Sequence, residues 1–441
     1  MSARLRSSSG PRRLWTVKTD CFQCADAIIE QSPDAAAVAL LLRKRGLNST
    51  ISECSALDEE LPPHDLYVAD CWSGERTRRI QAARRRGSLV TSIGELVMRL
   101  ADAPTIGVTG TAGKTETTHA IAALLEASAI RAHMGRTGRA ENAWPTGDLL
   151  SRLPQIDPPD RVLVELTSTH LCFMQSSPQI AVVTNIWPDH IELHGSYRAY
   201  RAAKRVLLEA QGGEGIAILN ADDPGSRALR RIVRGQRFLF SGVRPVRRGV
   251  GVERGRLVAR LDGPSLPLGP PPDDLLSANA AAAVLAALLG GAHPEAVRER
   301  LRKRFGLALR RQDLADVHGV RVVNDGMAAT PRKALASLAQ HEPSSLIVIA
   351  GGRNEIGGVR VHAAVSEQAA VRALCDALRA VSTVVLFGTA AGRVDVPGSV
   401  VCGTLAEARG YAFSVAQPGQ TVLFAPGFPC SLEDRKAFAS C

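Results

Sequence analysis

Residues 105–128 read TIGVTGTAGKTETTHAIAALLEAS, and the reading of this stretch decides the fold. Thr105–Thr109 is a short run of β-branched and apolar residues, which favours a strand. The glycine loop Gly110-Thr111-Ala112-Gly113-Lys114-Thr115 comes next, and a helix is expected through about Ser128. A strand, a glycine loop and a helix in this order make a phosphate cradle. Glycines let the main chain close around phosphate oxygens, and the helix start offers unpaired N–H groups. Lys114 is then placed to reach the β- and γ-phosphates, and Thr115 to set its hydroxyl on Mg²⁺. ATP with Mg²⁺ is the cofactor this implies. The full pattern G-x-x-x-x-G-K-[ST] fails at Val108, where the first glycine belongs. A bare G-K-T is common in proteins, so the strand and helix around it carry the argument.

Working outward, strands are expected at Val162–Val164, Ile180–Thr184 and Ile216–Leu219. Glu165 follows the first of these, and Asp189 and His190 follow the second. In open parallel sheets, ligands collect beyond the carboxyl ends of the strands, so Glu165 and His190 are candidates to face the phosphate loop. Glu165 would give Mg²⁺ a hard oxygen, and His190 would give a second ion a nitrogen. Taken singly, each reads as a helix cap or a surface residue. Lys204, on the helical segment Ser196–Ala210, reads alone as an exposed lysine. Asn279, near the start of an Ala-rich helix, reads alone as a cap. Asp325 follows the strand expected at Val320–Val323.

The rest of the chain fits an α/β protein of several domains. Its 441 residues exceed one ordinary core. In residues 1–103, strands are expected at Leu66–Ala69 and Leu89–Ser92, with helices at Arg76–Arg86 and Gly94–Ala101. A second unit starts at Pro104. The proline-rich stretch Gly263–Pro272 breaks its pattern ahead of the Ala-rich helix, and a boundary is placed near Phe305–Arg310. Beyond it, further strands are expected at Leu346–Ile349, Val384–Phe387 and Val422–Phe424. Such alternation argues for parallel sheets flanked by helices.

Composition narrows the function classes. Hydrophobic residues make up 45% of the chain, but no apolar run reaches the roughly 18 residues of a membrane span. Met1–Trp15 is basic and lacks an apolar signal segment, so a cytoplasmic protein is expected. The net charge of +11 comes with dispersed arginines and only 4% aromatics, which argues against nucleic acid as partner. Nine scattered cysteines do not make a disulfide scaffold, and Cys21-Phe22-Gln23-Cys24 has no second ligand pair for zinc.

Taken in order, GTAGKT, LVELTS, TNIWPDHIELHG, YRAAK, NADDP and VNDGMAAT resemble the Mur ligases, within them the branch that adds D-glutamate. The likeness runs from about Leu66 to Phe438. It implies three domains: a Rossmann-like acceptor domain over 1–103, a P-loop ATP domain with a mostly parallel sheet over 104–308, and a Rossmann-like amino-acid domain over 309–441. It implies an ATP-dependent ligase that converts a carboxylate to an acyl phosphate and then to an amide. The partners would be a small-molecule acid and an amino acid, and the protein a monomer.

By position, the resemblance puts Gly110, Thr111, Gly113, Lys114 and Thr115 on the ATP phosphates, and Thr115, Glu165, His190 and Lys204 at the metal ions. Lys204 stands where the family carries a carbamylated lysine; Lys114, His190 and Lys204 are the catalytic candidates. Asn279 matches an adenine contact, and Arg311 and Asp325 match nucleotide contacts. Thr167, Met327, Ser431 and Phe438 fall at substrate positions. The chain also departs from the family. The glycine-rich uridine loop is replaced by VKTDCFQCA at Val17–Ala25, and the following loop reads Asp70-Cys71-Trp72-Ser73-Gly74. Met327 stands where a lysine helps hold the amino acid's carboxylate, with Arg332 and Lys333 nearby in sequence, and Leu276 replaces an asparagine. Two other readings stay open: a specialised amide ligase with another acid and amine, and an ATP-binding relative without catalysis.

Overall fold

A computed structural model describes residues 26–30, 35–44, 48–52, 65–69, 78–134, 147–314, 316–356, 359–360 and 365–439. Cys21, Cys24 and the loops at Val17–Ala25 and Asp70–Gly74 lie outside them. The chain divides into two compact units, Met1–Pro270 with Ala278–Arg300, and Pro271–Ser277 with Leu301–Cys441.

The first unit holds two sheets. In one, β1 (Asp26–Glu30), β2 (Asn48–Ser52), β3 (Leu66–Ala69) and β4 (Leu89–Ser92) are all parallel, in the order β2-β1-β3-β4. The other has nine strands: β5 (Thr105–Thr109), β6 (Ala132–Met134), β7 (Arg161–Glu165), β8 (Ile180–Val183), β9 (Ile216–Asn220), β10 (Gln236–Phe240), β11 (Gly249–Glu253), β12 (Arg256–Arg260) and β13 (Leu266–Gly269). Their order is β13-β12-β11-β10-β9-β8-β5-β7-β6, and only the β11–β12 and β12–β13 pairs are antiparallel. Every residue of β3, β5 and β8 is buried. That is why these strands read as unbroken β-branched and apolar runs rather than as an alternation.

The second unit is built on β14 (Gln312–Asp313), β15 (Arg321–Asn324), β16 (Leu346–Gly351), β19 (Thr383–Phe387), β20 (Val400–Cys402) and β21 (Thr421–Gly427), with β17 (Glu355–Ile356) and β18 (Val359–Arg360) forming a separate hairpin. The sheet order is β14-β15-β21-β16-β19-β20, parallel throughout except at β14. The mixed α/β class with mostly parallel sheets is thus the expected one. Among the described residues no helix is long and apolar enough to cross a membrane.

Three sequence readings need correction. The proline-rich stretch Gly263–Pro272 contains a strand, β13. It is an edge strand, where Pro267 costs no ladder bond on the open side. Asn279 is not a cap, because its helix starts two residues earlier and runs Ser277–Leu289. Lys204 is not exposed. Tyr200, Ala203, Lys204, Leu207 and Leu208 are the buried residues of the helix Tyr197–Glu209, and their spacing places Lys204 inside the apolar stripe. The hairpin β11–β12 was not expected. It turns on Arg254 (φ 49°) and Gly255 (φ 72°), the pair of positive φ values that a two-residue turn between twisted strands requires.

Candidate active site

β5 lies between β7 and β8, so the connections leave it toward opposite sides of the sheet. The crevice beyond such a strand is where ligands bind, and the loop Gly110–Gly113 fills it. Its two glycines are required by geometry. At Gly110 (φ 154°) a Cβ would stand 1.8 Å from Thr184 Oγ1, and at Gly113 (φ 83°) 2.5 Å from Asn279 Oδ1. The helix Lys114–Ala127 then begins with no side-chain cap at Gly113, leaving its first N–H groups for an anion.

The segment after β8 holds the loop in place. Asn185 accepts from Ala112 N at its Oδ1 (2.8 Å) and donates its Nδ2 to Ala112 O (3.1 Å), while its main-chain oxygen accepts from Thr111 N. The Thr111 hydroxyl accepts from Trp187 N, donates to Trp187 O and lies 2.9 Å from the Tyr200 hydroxyl. Asp223 fixes that segment from below, accepting from Ile186 N at 3.0 Å and from Trp187 Nε1 at 2.8 Å. Asn185, Tyr200 and Asp223 were not singled out in the sequence. Asn185 had a signal, since it opens the N-x-x-x-D-H segment.

Two cations meet at the loop. Lys114 Nζ donates to Gly110 O at 3.0 Å, and Lys204 Nζ donates to the same oxygen at 3.1 Å and to Thr109 Oγ1 at 3.3 Å. Lys204 is 1% exposed and its ammonium lies 4.8 Å from the centre of the Tyr200 ring. Burial first, and the charge of Lys114 second, hold its pKa well below the usual lysine value, and Asp189 opposes this only in part. Burial also pushes the Tyr200 phenol well above its usual value.

A cleft opens over these groups. Of the residues singled out in the sequence it brings together Gly110, Thr111, Lys114, Thr167, His190 and Lys204, and it adds Asp189, Ser168 and Tyr200. His190 adopts a left-handed backbone (φ 49°, ψ 37°), a strained conformation for a residue other than glycine and one that clusters at functional sites. Thr167 caps the short helix Ser168–Cys172, accepting from His170 N. Behind it, His194 Nε2 lies 2.9 Å from the Ser168 hydroxyl. Thr115 and Glu165 are buried beside the loop, in the helix start and at the end of β7. Asn279 packs against Gly113 and donates its amide to the Glu116 carboxylate.

The other four positions and Arg311 fall in the second unit. Arg311 (φ 43°) and Asp325 are buried, and Asp325 follows β15 with its N–H on Phe424 O at 2.8 Å. Met327 follows on the same loop. Ser431 caps the helix Leu432–Ala437 in a capping box with Asp434. The Phe438 ring is 1% exposed and packs 4.8 Å from the Phe424 ring, so its side chain belongs to the core, and only its main chain can reach a ligand.

A mostly parallel sheet with a phosphate loop at its switch point, two lysines hydrogen-bonded to that loop and a cleft above it lined by hydroxyl and charged residues define an α/β phosphate-binding protein. Comparison with known proteins narrows the class. The Mur ligase middle domain matches residues 108–244. A UDP-N-acetylmuramoylalanine–D-glutamate ligase from Symbiobacterium thermophilum is 32% identical over 385 residues, covering 83% of this chain and 80% of that protein. The protein of the same name from Pelotomaculum thermopropionicum is also 32% identical, over 82% of this chain and 78% of its own length. Among solved structures, MurF ligase from Thermotoga maritima in complex with ADP aligns with a TM-score of 0.59 over 87% of this chain and 95% of that one. At 18% identity that is a likeness of fold. The chain belongs to the Mur ligase family, and with it to the ligases.

Proposed function

We propose that this chain is an ATP-dependent ligase joining the alanine carboxylate of a UDP-N-acetylmuramoyl acceptor to the amino group of D-glutamate, in the cytoplasm and as a step of cell-wall peptidoglycan synthesis. The two relatives carry that name, and the observation that carries the chemistry is the pairing of Lys114 and Lys204 on Gly110 O under one cleft. Residues 1–103 are assigned to the acceptor, 104–308 to ATP and 309–441 to the amino acid. In the first step the acceptor carboxylate attacks the γ-phosphorus and ADP leaves. In the second, the amine attacks the acyl carbon, loses a proton, and phosphate leaves. Lys114 and the loop N–H groups neutralise the charge that develops on the transferred phosphoryl group. His190, Thr167 and Ser168 line the place where the acyl group would lie. Asn279 is assigned to the adenine, and Arg311 and Asp325 keep the nucleotide role that the family likeness implies.

Magnesium fits the donors at the loop. Glu165 Oε2 is buried without a hydrogen-bond partner, as a carboxylate oxygen reserved for a cation would be, and the Thr115 hydroxyl opens the adjacent helix. Among the described residues no group of three His, Cys, Asp or Glu side chains is set for a metal. Glu165 and Thr115 would hold the ion from the protein side, with water and substrate supplying its other oxygens, and it would supply charge neutralisation at the phosphoryl group. The test is ADP formation that depends on both UDP-N-acetylmuramoyl-L-alanine and D-glutamate. Met327 favours one variant of this reading, a different amino acid, and a panel of amino acids in the same assay separates the two.

A further inference from the structure

We propose that Arg435 grips the carboxylate of the incoming amine substrate, at a place where residue 327 offers only a thioether. The inference rests on the reading above, that an amino acid is the nucleophile. β15, β16 and β21 are parallel, so the loops after them, holding Met327, Arg353 and Cys430, leave the same edge of the second unit's sheet. Arg435 reaches that edge from the helix Leu432–Ala437. Its guanidinium donates Nη1 to Met327 Sδ at 3.0 Å, Nε to Cys430 Sγ at 3.3 Å and Nη2 to Cys430 O at 2.8 Å.

These partners orient the charge without neutralising it. Two of the three are sulfur atoms, which are weak acceptors. Among the described residues no carboxylate forms an ion pair with Arg435, although Asp434 precedes it. Asp434 Oδ2 is occupied by Ser431, accepting from its hydroxyl and, at 3.2 Å, from its N–H. Arg353 stands, like Arg435 and Asp434, within electrostatic range of the Cys430 thiol, so a second guanidinium shares this edge. A guanidinium has five N–H donors, and three are used here. The remaining two are one on each terminal nitrogen, and donors on Nη1 and Nη2 can receive a carboxylate end-on.

The fold builds this position deliberately. Asn324 is fully buried, and its Nδ2 donates to Arg435 O at 3.0 Å while its Oδ1 accepts from Gly326 N at 2.9 Å. A Cβ on Gly326 would stand 3.0 Å from Arg435 Cβ and Cγ, so glycine there makes room for the arginine stem. Both Met327 and Arg435 are only partly buried and meet solvent. A cation is thus delivered beside residue 327 from a different element.

The experiment follows ADP release at saturating ATP and acceptor while D-glutamate is varied. It compares wild type, Arg435→Ala, Arg435→Lys, and Arg435→Ala combined with Met327→Lys. A lost hydrogen-bonded charge predicts a D-glutamate KM raised roughly ten- to hundredfold in R435A, with the KM for ATP unchanged. R435K recovers part of the loss, and adding M327K to R435A recovers more, because it returns a cation to the same edge. A purely structural role would not be rescued from another loop. The Asn324 bond is to the main chain and survives each substitution. An R435A KM within about twofold of wild type, measured on the scale where tenfold is 1.4 kcal/mol, overturns the proposal. If wild type releases no ADP with D-glutamate, that reading fails by itself, and Arg435 is judged by calorimetric titration with the amino acid the panel selects, or with glutamate if it selects none, against the corresponding amide. A preference for the free acid that vanishes in R435A supports the proposal. No such preference in wild type, or one that R435A keeps, overturns it.

Discussion

Lys114 and Lys204 donate to one acceptor, the carbonyl oxygen of Gly110, at 3.0 and 3.1 Å. Two ammonium ions on one oxygen repel each other, and the repulsion adds to burial in disfavouring the charged form of the buried member. Burial and then Lys114 lower the Lys204 pKa, which favours the uncharged amine at the base of the cleft. A neutral amine adds carbon dioxide through its nitrogen lone pair and releases one proton to solvent, and the product is a carbamate anion beside Lys114. The expected outcome is a carbamate carbon-13 resonance in wild type equilibrated with labelled bicarbonate, absent from Lys204→Arg. Turnover in Lys204→Met should fall by at least about a hundredfold, the scale of losing one preorganised charge at a transferring group. An unlabelled wild-type protein with full activity would remove the carbamate from the account.

Gly113 shows how tightly the loop is specified. Its φ of 83° and the 2.5 Å from a would-be Cβ to Asn279 Oδ1 both oppose any side chain. Gly113→Ala should lose about 1–2 kcal/mol from the backbone alone. Displacing Asn279 should add a rise in the KM for ATP, while the KM for the amino acid stays constant. Equal rises in both constants would mean that the whole unit had been perturbed rather than the loop.

Glu116 sets the orientation of Asn279. A carboxylate only accepts, so the amide nitrogen of Asn279 must face Glu116, and the amide oxygen is left toward Gly113. An acceptor in that place suits a purine amino group and not a purine carbonyl. Glu116→Ala frees the amide to flip and should raise the KM for ATP by roughly tenfold, the low end of a charged hydrogen bond, while narrowing the preference for ATP over GTP. Glu116→Gln keeps an acceptor and should recover much of the difference. Unchanged discrimination in the alanine variant would detach Glu116 from nucleotide choice.

The glycine loop, its strand and its helix were legible because they are contiguous and each obeys a local rule. The burial of Lys204 was written in the spacing of Tyr200, Ala203, Leu207 and Leu208, a period-3.6 stripe that includes it. It is missed when the lysine is read by type instead of by face. Arg435 was not legible. Its partner Met327 lies 108 residues away, and only the adjacency of β15 and β21 brings the two together. The contact of Asn279 with Glu116 spans 163 residues and is hidden for the same reason. Local rules locate the phosphate loop, whereas sheet order decides which distant side chains stand around it.

His170 gives the fold a measurable pH dependence. It closes the capping box of Thr167, with Nδ1 accepting from Thr167 N at 3.4 Å. It is 1% exposed, and its Nε2 is buried without a partner. Burial lowers its pKa from 6.5 to about 4. The unfolded chain therefore takes up a proton that the folded protein refuses as pH falls from 6.5 toward 4. The depressed pKa contributes stability that is present above pH 6.5 and lost across that window. Between pH 7 and pH 5 the loss from this group is about 2 kcal/mol. His170→Gln removes the titration and keeps the box, since glutamine at the third helical position is a natural partner of a threonine cap. Urea unfolding at the two pH values should show the variant losing less stability than wild type by about that amount. Equal losses in the two proteins would mean that His170 is hydrated and titrates normally in the native state.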